Sequence, residues 1–323
     1  MADFKFLHGR FCIPFPGDDP AEFSHVLSKY EAFVHDVYLG HRLFPQHHSY
    51  INDTAVEQWL VTNNGHVPVY FTMNAIFNDF DDTKAEQLVR ETDVLSFLRL
   101  HKFSGVIVAE PALARVVHHH LPDLKIHTSV NAVYASSTGD FPAVDATQLP
   151  RGVFLPPEGM MNAKVMLNEA CFRGCTGAHT RDHIMRFIQA NCERHDPSEF
   201  HDDEYHDATD LSLVVCTNLC LPRWVPRVAK HAKLLKIAGR PSTNRWLDGC
   251  LHAYTTCADD VTLDTVCAFL CQYQPVHLPL SVYDDRMINC KGWEHCNPAT
   301  CPIRAEVLRR VKTWARAFKF KQF

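Results

Sequence analysis

Short apolar runs alternate along the chain with longer stretches in which apolar residues recur every three or four positions. The first pattern predicts buried strands, and the second predicts amphipathic helices. Most of the apolar runs end directly at a polar or turn-forming residue. We predict eight strands, at residues 11–14, 36–39, 67–73, 105–108, 124–128, 152–155, 165–167 and 234–238. Helices are predicted at residues 21–33, 54–61, 83–100, 112–120 and 246–254.

The order of these elements predicts the fold class. Strands that alternate with helices form parallel sheets, and eight such units favour an α/β fold of the TIM-type (β/α)8 barrel kind. The alternative, an open doubly wound sheet, needs a glycine-rich first turn, which this sequence lacks. We therefore expect a barrel over residues 1–255 and a helical, cysteine-containing extension over residues 256–323.

A long insertion interrupts the barrel pattern after the seventh strand. It covers residues 168–233 and is far longer than an ordinary connection between a strand and a helix. Its middle, residues 194–210, is acidic, rich in histidine and poor in apolar residues. We expect a solvated loop there, and the alternatives are a lid over the site or a weak metal-binding loop.

The last predicted helix, residues 304–323, has one apolar and one basic face. The apolar face carries Val307, Val311, Trp314 and Phe318. The basic face carries Arg309, Arg310, Lys312, Arg316 and Lys319. We predict a helix docked through its apolar face, with a basic contact surface for RNA or another acidic partner as the alternative.

Composition narrows the class of protein. The 323 residues are 46% hydrophobic and 21% charged, which is enough apolar material for a sizeable core. A net charge of −5 excludes a uniformly basic nucleic-acid-binding chain. The first residues lack the pattern of a secretory signal, and no apolar run approaches the roughly 20 residues of a membrane helix. We therefore expect a cytoplasmic protein without a membrane span.

Cysteine spacing provides the strongest chemical signal. The sequence has 13 cysteines, and in a reducing compartment clustered cysteines bind metal more often than they form disulfides. Cys171 and Cys175 form one Cys-x3-Cys pair, and Cys216 and Cys220 form a second. Four thiolates suit an iron–sulfur cluster or zinc. Cys192 is a competing ligand for the same centre.

The other cysteines are weaker candidates. Cys290, Cys296 and Cys301 have the spacing of a second metal-binding loop, but three unligated thiols explain them equally well. Four more lie in predicted helical stretches, where we expect buried core thiols. They are Cys250, Cys257, Cys267 and Cys271.

Polar residues beside the first cysteine pair are candidates for catalysis. Asn168 and Glu169 follow the seventh strand, at the end where barrel enzymes place their working groups. His179 has the chemistry of an acid or base, although a structural role fits it as well. Lys236 and Arg240 are cationic candidates for binding a carboxylated or phosphorylated substrate. The sequence has no phosphate-binding loop, zincin or serine-hydrolase motif, so those enzyme classes have no support.

These motifs together resemble a known family. The stretch from Leu167 to Cys175 is similar to the N-[EG]-G-C-L-x-x-C element of the collagenase-like peptidase family U-32. Three further segments resemble that family in the same order along the chain: 36–40, 235–240 and 285–301. The sequence departs from the family pattern at Ala170, Thr176 and Gly177, which puts the local substrate contacts in doubt more than the cluster.

The resemblance implies a barrel whose carboxyl-terminal rim carries a [4Fe–4S] cluster. It implies an oxygen-independent hydroxylase, like relatives that modify ubiquinone precursors, transfer RNA or ribosomal RNA. Expected partners are a small oxygen donor, an aromatic substrate or RNA, and a second subunit in a homodimer or heterodimer. A zinc-stapled RNA- or protein-binding module without catalysis is the main alternative. A protease is less favoured, since no triad, zinc motif or paired aspartates accompany the family name.

Overall fold

A computed structural model describes most of the barrel and part of the extension. It covers residues 4–45, 52–75, 77–135, 137–150, 153–172, 217–239, 242–267, 278–289 and 301–317. For residues 169–172 and 217–218 it describes the backbone. Cys175, His179, Cys192, Cys216, Arg240, Cys271, Cys290 and Cys296 lie outside the described residues.

Eight parallel strands of the described chain form a nearly closed barrel. They are β1 (Phe11–Pro14), β2 (Val34–Leu39), β3 (Val69–Met73), β4 (Gly105–Val108), β5 (Lys125–Thr128), β6 (Thr147–Gln148), β7 (Ala163–Met166) and β10 (Leu234–Lys236). The sheet runs from β5 back to β1, continues through β10 and β7, and ends at β6. A parallel bridge between His127 and Ala146 brings β5 beside the start of β6. The predicted barrel is therefore confirmed.

Side chains alternate between the two faces of the strands. Phe11 and Ile13 of β1 face the surrounding helices and belong to the large apolar core. Cys12 faces the barrel interior, where it joins a small buried cluster. The register between β1 and β2 shifts by one residue, because Phe11 pairs with Val34 while Cys12 pairs with Asp36. This bulge makes His35 an extra residue in β2.

Side-chain caps begin several of the helices of the described chain. The described helices are α1 (Pro20–Tyr30), α2 (Asp53–Asn63), α3 (Asp82–Glu91), α4 (Val94–Leu100), α5 (Pro111–His120), α6 (Val225–Val228), α7 (Asn244–Thr256), α8 (Leu263–Val266) and α9 (Pro302–Ala317). Asp19 caps α1, and its carboxylate accepts hydrogen bonds from the backbone N–H groups of Ala21 and Glu22. Asn52 caps α2 in the same way.

Two predicted elements are wrong. The sixth strand is Thr147–Gln148 and not residues 152–155. The apolar residues of that run have another role, since Phe154 is buried in the outer core with its ring 6.1 Å from that of Trp224. The helix predicted over residues 83–100 is two helices, because Asp93 adopts a left-handed conformation with φ of 49° between α3 and α4.

Two segments of the insertion form an antiparallel pair of strands. Strand β8 (Asn168–Phe172) follows β7 after one residue and pairs with β9 (Thr217–Leu219). The backbone N–H of Cys220 donates to the carbonyl of Leu167, so the pair stands on the carboxyl end of β7. Parallel barrel strands carry their functional residues at this end.

The extension docks through α9 as the hydrophobic stripe predicts. Val307 and Val311 are fully buried, and Trp314 packs against the same core. On the opposite face Arg309 is exposed and pairs with Glu306. The boundary between barrel and extension stays a prediction.

Candidate functional site

Asn168 holds the base of the antiparallel pair in place. Its side-chain amide donates to the carbonyls of Ala238 and Val266, each at 2.9 Å, and its Oδ1 accepts from the N–H of Ala238 at 2.7 Å. These bonds tie the end of β7 to the segment after β10 and to α8. Asn168 is 1% exposed, so the structure gives this side chain a positioning role. Its catalytic role stays a prediction.

Lys236 reaches into the barrel from the last strand. Its Nζ lies 4.5 Å from the ring centroid of Tyr38, within the range of a cation–π interaction. The Tyr38 hydroxyl donates to the carbonyl of Ile237 at 2.7 Å, so the ring that carries this cation is fixed. The structure therefore shows Lys236 buried against a fixed aromatic ring at the end of β10, and its substrate-binding role stays a prediction.

The pairing of β8 and β9 brings the two cysteine segments together. Phe172 pairs with Thr217, and each of these residues directly follows one of the predicted ligands, Cys171 or Cys216. For Glu169 and Cys171 the structure gives the backbone position in β8. The backbone of Cys171 and the residue that follows Cys216 therefore lie at the same end of one two-stranded unit.

Cys220 is the one predicted ligand whose side chain is described. It is fully buried, and its Sγ donates to the carbonyl of Leu221 at 3.7 Å. Burial raises the pKa of this thiol well above its usual range, and the neighbouring Cys257 adds to the effect. Ligation of a metal would replace this neutral thiol by a thiolate.

Three of the helical cysteines, Cys250, Cys257 and Cys267, lie close to Tyr254 of α7. Cys250 and Cys267 are buried, which confirms them as core thiols, whereas Cys257 is partly exposed. The Tyr254 hydroxyl donates to the carbonyls of Leu167 and Cys220, at 3.3 Å and 3.0 Å. Helix α7 thereby supports the base of the β8–β9 pair from the outer side.

The barrel interior contains buried polar side chains beside its apolar ones, which the sequence pattern does not predict. Lys164 of β7 and His127 of β5 are each 1% exposed. Burial lowers the pKa of the Lys164 amine. Burial, followed by the neighbouring Lys164, also lowers the pKa of His127, which keeps its imidazole neutral. Tyr70 stacks on the His127 ring with centroids 4.2 Å apart. In the sequence, Lys164 can be recognised as the single charged residue within the apolar run of β7.

Glu110, which follows β4, connects loops at the carboxyl ends of the barrel strands, which we call the barrel mouth. Its carboxylate accepts hydrogen bonds from the N–H groups of Phe77 and Ser137 and from the Ser137 hydroxyl. These contacts join the loops after β3, β4 and β5. Glu110 is fully buried, so it shapes this side of the mouth and does not present a free carboxylate to solvent.

Comparison with known proteins finds a family model that is similar to part of the chain. Residues 22–141 match the sequence model described as peptidase family U32. Over these residues, which are just over a third of the chain, the chain is similar to peptidase family U32. The matched part of the chain runs from α1 past β5 and includes the Asp36–Gly40 motif, whereas the cysteine segments lie outside it. No curated protein matches the chain.

One solved structure, titled "The Structure of the U32 Peptidase Mk0906", aligns with 72% of this chain and 94% of its own. The two share 14% sequence identity, and the TM-score is 0.46. Across the described ranges of the chain, every helix falls short of the length and apolar character that a bilayer crossing requires.

Proposed function

We propose that this chain is an iron–sulfur protein of the peptidase U32 type with the activity of an oxygen-independent hydroxylase. Cys171, Cys175, Cys216 and Cys220 would hold a [4Fe–4S] cluster at the carboxyl end of the barrel. When bound, such a cluster transfers single electrons or acts as a Lewis acid. The observation that carries the proposal is the pairing of Phe172 with Thr217, which joins the two Cys-x3-Cys segments.

The chemistry of the donor set fits the cluster. Four thiolates are the usual ligands of a [4Fe–4S] centre. The six described cysteine side chains are all free thiols, in agreement with a reducing, cytoplasmic location. Cys220 directly follows the last residue of β9 and is fully buried. To bind a cluster, its Sγ would have to break its hydrogen bond to the Leu221 carbonyl.

The barrel mouth supports binding of a small anionic substrate. Lys236 supplies a buried positive charge on the Tyr38 ring, and Arg240 follows four residues later in the sequence. Their charges would hold the carboxylate of an aromatic acid or of a small oxygen donor. Glu169 and His179 are the proposed groups for proton transfer, because both belong to the segment that begins at β8.

The alternative of an RNA-binding module gains little from α9. Arg309 and Arg310 both pair with Glu306, and Arg310 also lies 3.6 Å from Asp284. These acidic partners offset part of the basic face. We therefore keep RNA as a candidate substrate of the cluster enzyme and not as the ligand of a separate surface.

The first test is the metal content of the full chain purified without oxygen. We expect about four irons and four sulfides per chain and absorbance near ~400 nm from thiolate-to-iron charge transfer. Cys171→Ala and Cys216→Ala should each lose this absorbance. The matched control is Cys250→Ala, which removes a buried thiol of α7 and should leave the spectrum unchanged.

Retention of the absorbance in Cys171→Ala would refute that ligand assignment. A colourless protein that contains zinc in place of iron would remove the redox proposal and support the zinc-stapled module. A brown protein would next be assayed for hydroxylation of small aromatic acids and of RNA without oxygen. In that assay, Lys236→Met should raise the KM for an anionic substrate more than it lowers kcat.

A further inference from the structure

A second group of metal-binding side chains lies inside the barrel, apart from the cysteine segments. We propose that Cys12, His35 and Asp36 bind a divalent metal ion of the zinc class. Cys12 is in β1, and the other two residues are consecutive in β2. They come together because the β2 bulge adds His35 beside Asp36, directly opposite Cys12.

The geometry is close to that of a zinc site. One ligand atom from each of the three residues lies within 4.8 Å of the other two. Zinc bonds of about 2.0–2.3 Å place tetrahedral ligand atoms roughly 3.5 Å apart. The three side chains therefore need to close by about an ångström to hold an ion. A thiolate, an imidazole and a carboxylate are all ligands that zinc accepts, and three protein ligands leave a fourth position open.

Unpaired buried atoms provide an independent indication that something occupies this interior. Among the described residues, Asp36 Oδ1, His127 Nδ1 and Lys164 Nζ have no hydrogen-bond partner. The other oxygen of Asp36 contacts His35 Nδ1 at 2.6 Å. Buried polar atoms are rarely left unpaired, because each has lost its hydration without compensation. A metal ion would take up Asp36 Oδ1, and a water on that ion would reach its neighbours.

Lys164 is the main competitor for the Asp36 carboxylate. It lies close enough to Cys12 and Asp36 to interact electrostatically with both. A charged amine would pair with Asp36 and take the place of the ion, although the described Nζ makes no such bond. The metal proposal therefore requires Lys164 to lie beside the ligands without replacing the ion.

His35 marks the route to the site. Its side chain is 28% exposed, whereas Cys12 and Asp36 are buried. It is the second residue of β2, so the opening is toward the amino ends of the strands. The β8–β9 pair stands at the opposite, carboxyl end of β7. The two centres are thus separate, and either can be lost without the other.

Zinc binding by the full chain tests the proposal. Purified protein is stripped of metal, reloaded with zinc, and analysed for zinc per chain. Cys12→Ser and Asp36→Asn should each bind one zinc fewer than the wild type. Cys250→Ser, which changes a buried thiol outside the group, should bind the same number as the wild type. Cys171→Ala should keep the interior zinc even if the cluster is lost, which separates this proposal from the iron–sulfur proposal.

Cobalt provides a second readout. A Co²⁺-loaded protein should show thiolate-to-cobalt charge transfer that decreases in Cys12→Ser and is unchanged in Cys250→Ser. Equal zinc contents in the wild type, Cys12→Ser and Asp36→Asn would overturn the proposal in favour of buried water or a Lys164–Asp36 pair. If the two buried variants fail to fold, His35→Gln tests the proposal instead, because its partly exposed position tolerates the change. This variant should also bind one zinc fewer than the wild type.

Discussion

Gly105 is a residue at which the barrel leaves no room for a side chain. A Cβ at this position would lie 2.5 Å from the Lys125 carbonyl oxygen and 2.5 Å from the Tyr70 ring. The carbonyl belongs to the ladder between β4 and β5, so it cannot move without breaking strand pairing. We expect Gly105→Ala to lower the free energy of unfolding by about 1–3 kcal/mol. Urea titration measures this change.

Gly249 of α7 is the matched control for Gly105. A Cβ there would find its nearest neighbour, Thr265 Cγ2, at 3.9 Å. Gly249→Ala should raise the free energy of unfolding by about 0.5–1 kcal/mol, because alanine favours a helix more than glycine does. Similar effects of the two substitutions would contradict the close approach at Gly105.

The sequence identifies some site residues and misses others for a physical reason. Lys236 stands out because it precedes a glycine turn at the end of an apolar run. Lys164 and His127 are equally buried, but parallel strands are covered on both faces, so the pattern does not show which face holds a polar side chain. The pairing of Cys12 with Asp36 depends on a bulge, which no local pattern predicts.

Among the elements, α9 offers the clearest test of docking. Val307 is fully buried in the shared core, and Arg309, two residues later, is exposed. Val307→Ala should lower the free energy of unfolding by about 1–3 kcal/mol, because it leaves a cavity. Arg309→Ala should change it by no more than about 0.5 kcal/mol, since an exposed ion pair contributes little. Urea titrations of equal midpoint would show that α9 is not packed on the core.

The sequence predicts a strand or helix correctly where local side-chain chemistry determines its position, and incorrectly where tertiary packing determines it. Most of the seven correctly located strands are mainly apolar runs, although β5 (Lys125–Thr128) alternates polar and apolar residues, and α1 begins at its capping Asp19. The sixth strand has only two residues, Thr147 and Gln148, and neither is strongly apolar. Its position is set by pairing with β7 and by the bridge to β5, which the segment 147–148 alone does not encode.

At the scale of the whole molecule, Tyr30 joins the first barrel helix to α7. Its hydroxyl donates to the side chain of Asp248 at 2.8 Å and lies 3.1 Å from that residue's carbonyl oxygen. Burial, followed by the hydrogen bond with Asp248, raises the pKa of Tyr30 to about 12. A raised pKa means that the neutral phenol stabilises the fold. The contribution is complete below about pH 10, the usual pKa of tyrosine, and is lost as the pH rises toward 12.

Replacing this tyrosine tests the link between α1 and α7. Tyr30→Phe should lower the free energy of unfolding at pH 8 by about 1 kcal/mol, through loss of the hydrogen bond. The variant should also lose less stability than the wild type between about pH 10 and 12. Burial also raises the pKa values of Tyr70 and Tyr254. These two residues therefore cause part of the loss of stability at high pH in both the wild type and the variant. Unfolding curves that fall in parallel over this range would contradict the role of Tyr30.

The antiparallel pair on β7 has a consequence for how this protein can change over evolution. Because Phe172 and Thr217 are neighbours, the chain leaves the barrel and returns to it at one point. Joining two fixed chain ends costs only about 0.6 kcal/mol more each time the number of residues between them doubles. Descendants of this sequence can therefore lengthen, shorten or exchange the intervening segment while the strand order stays the same. New specificity can arise there without a new fold.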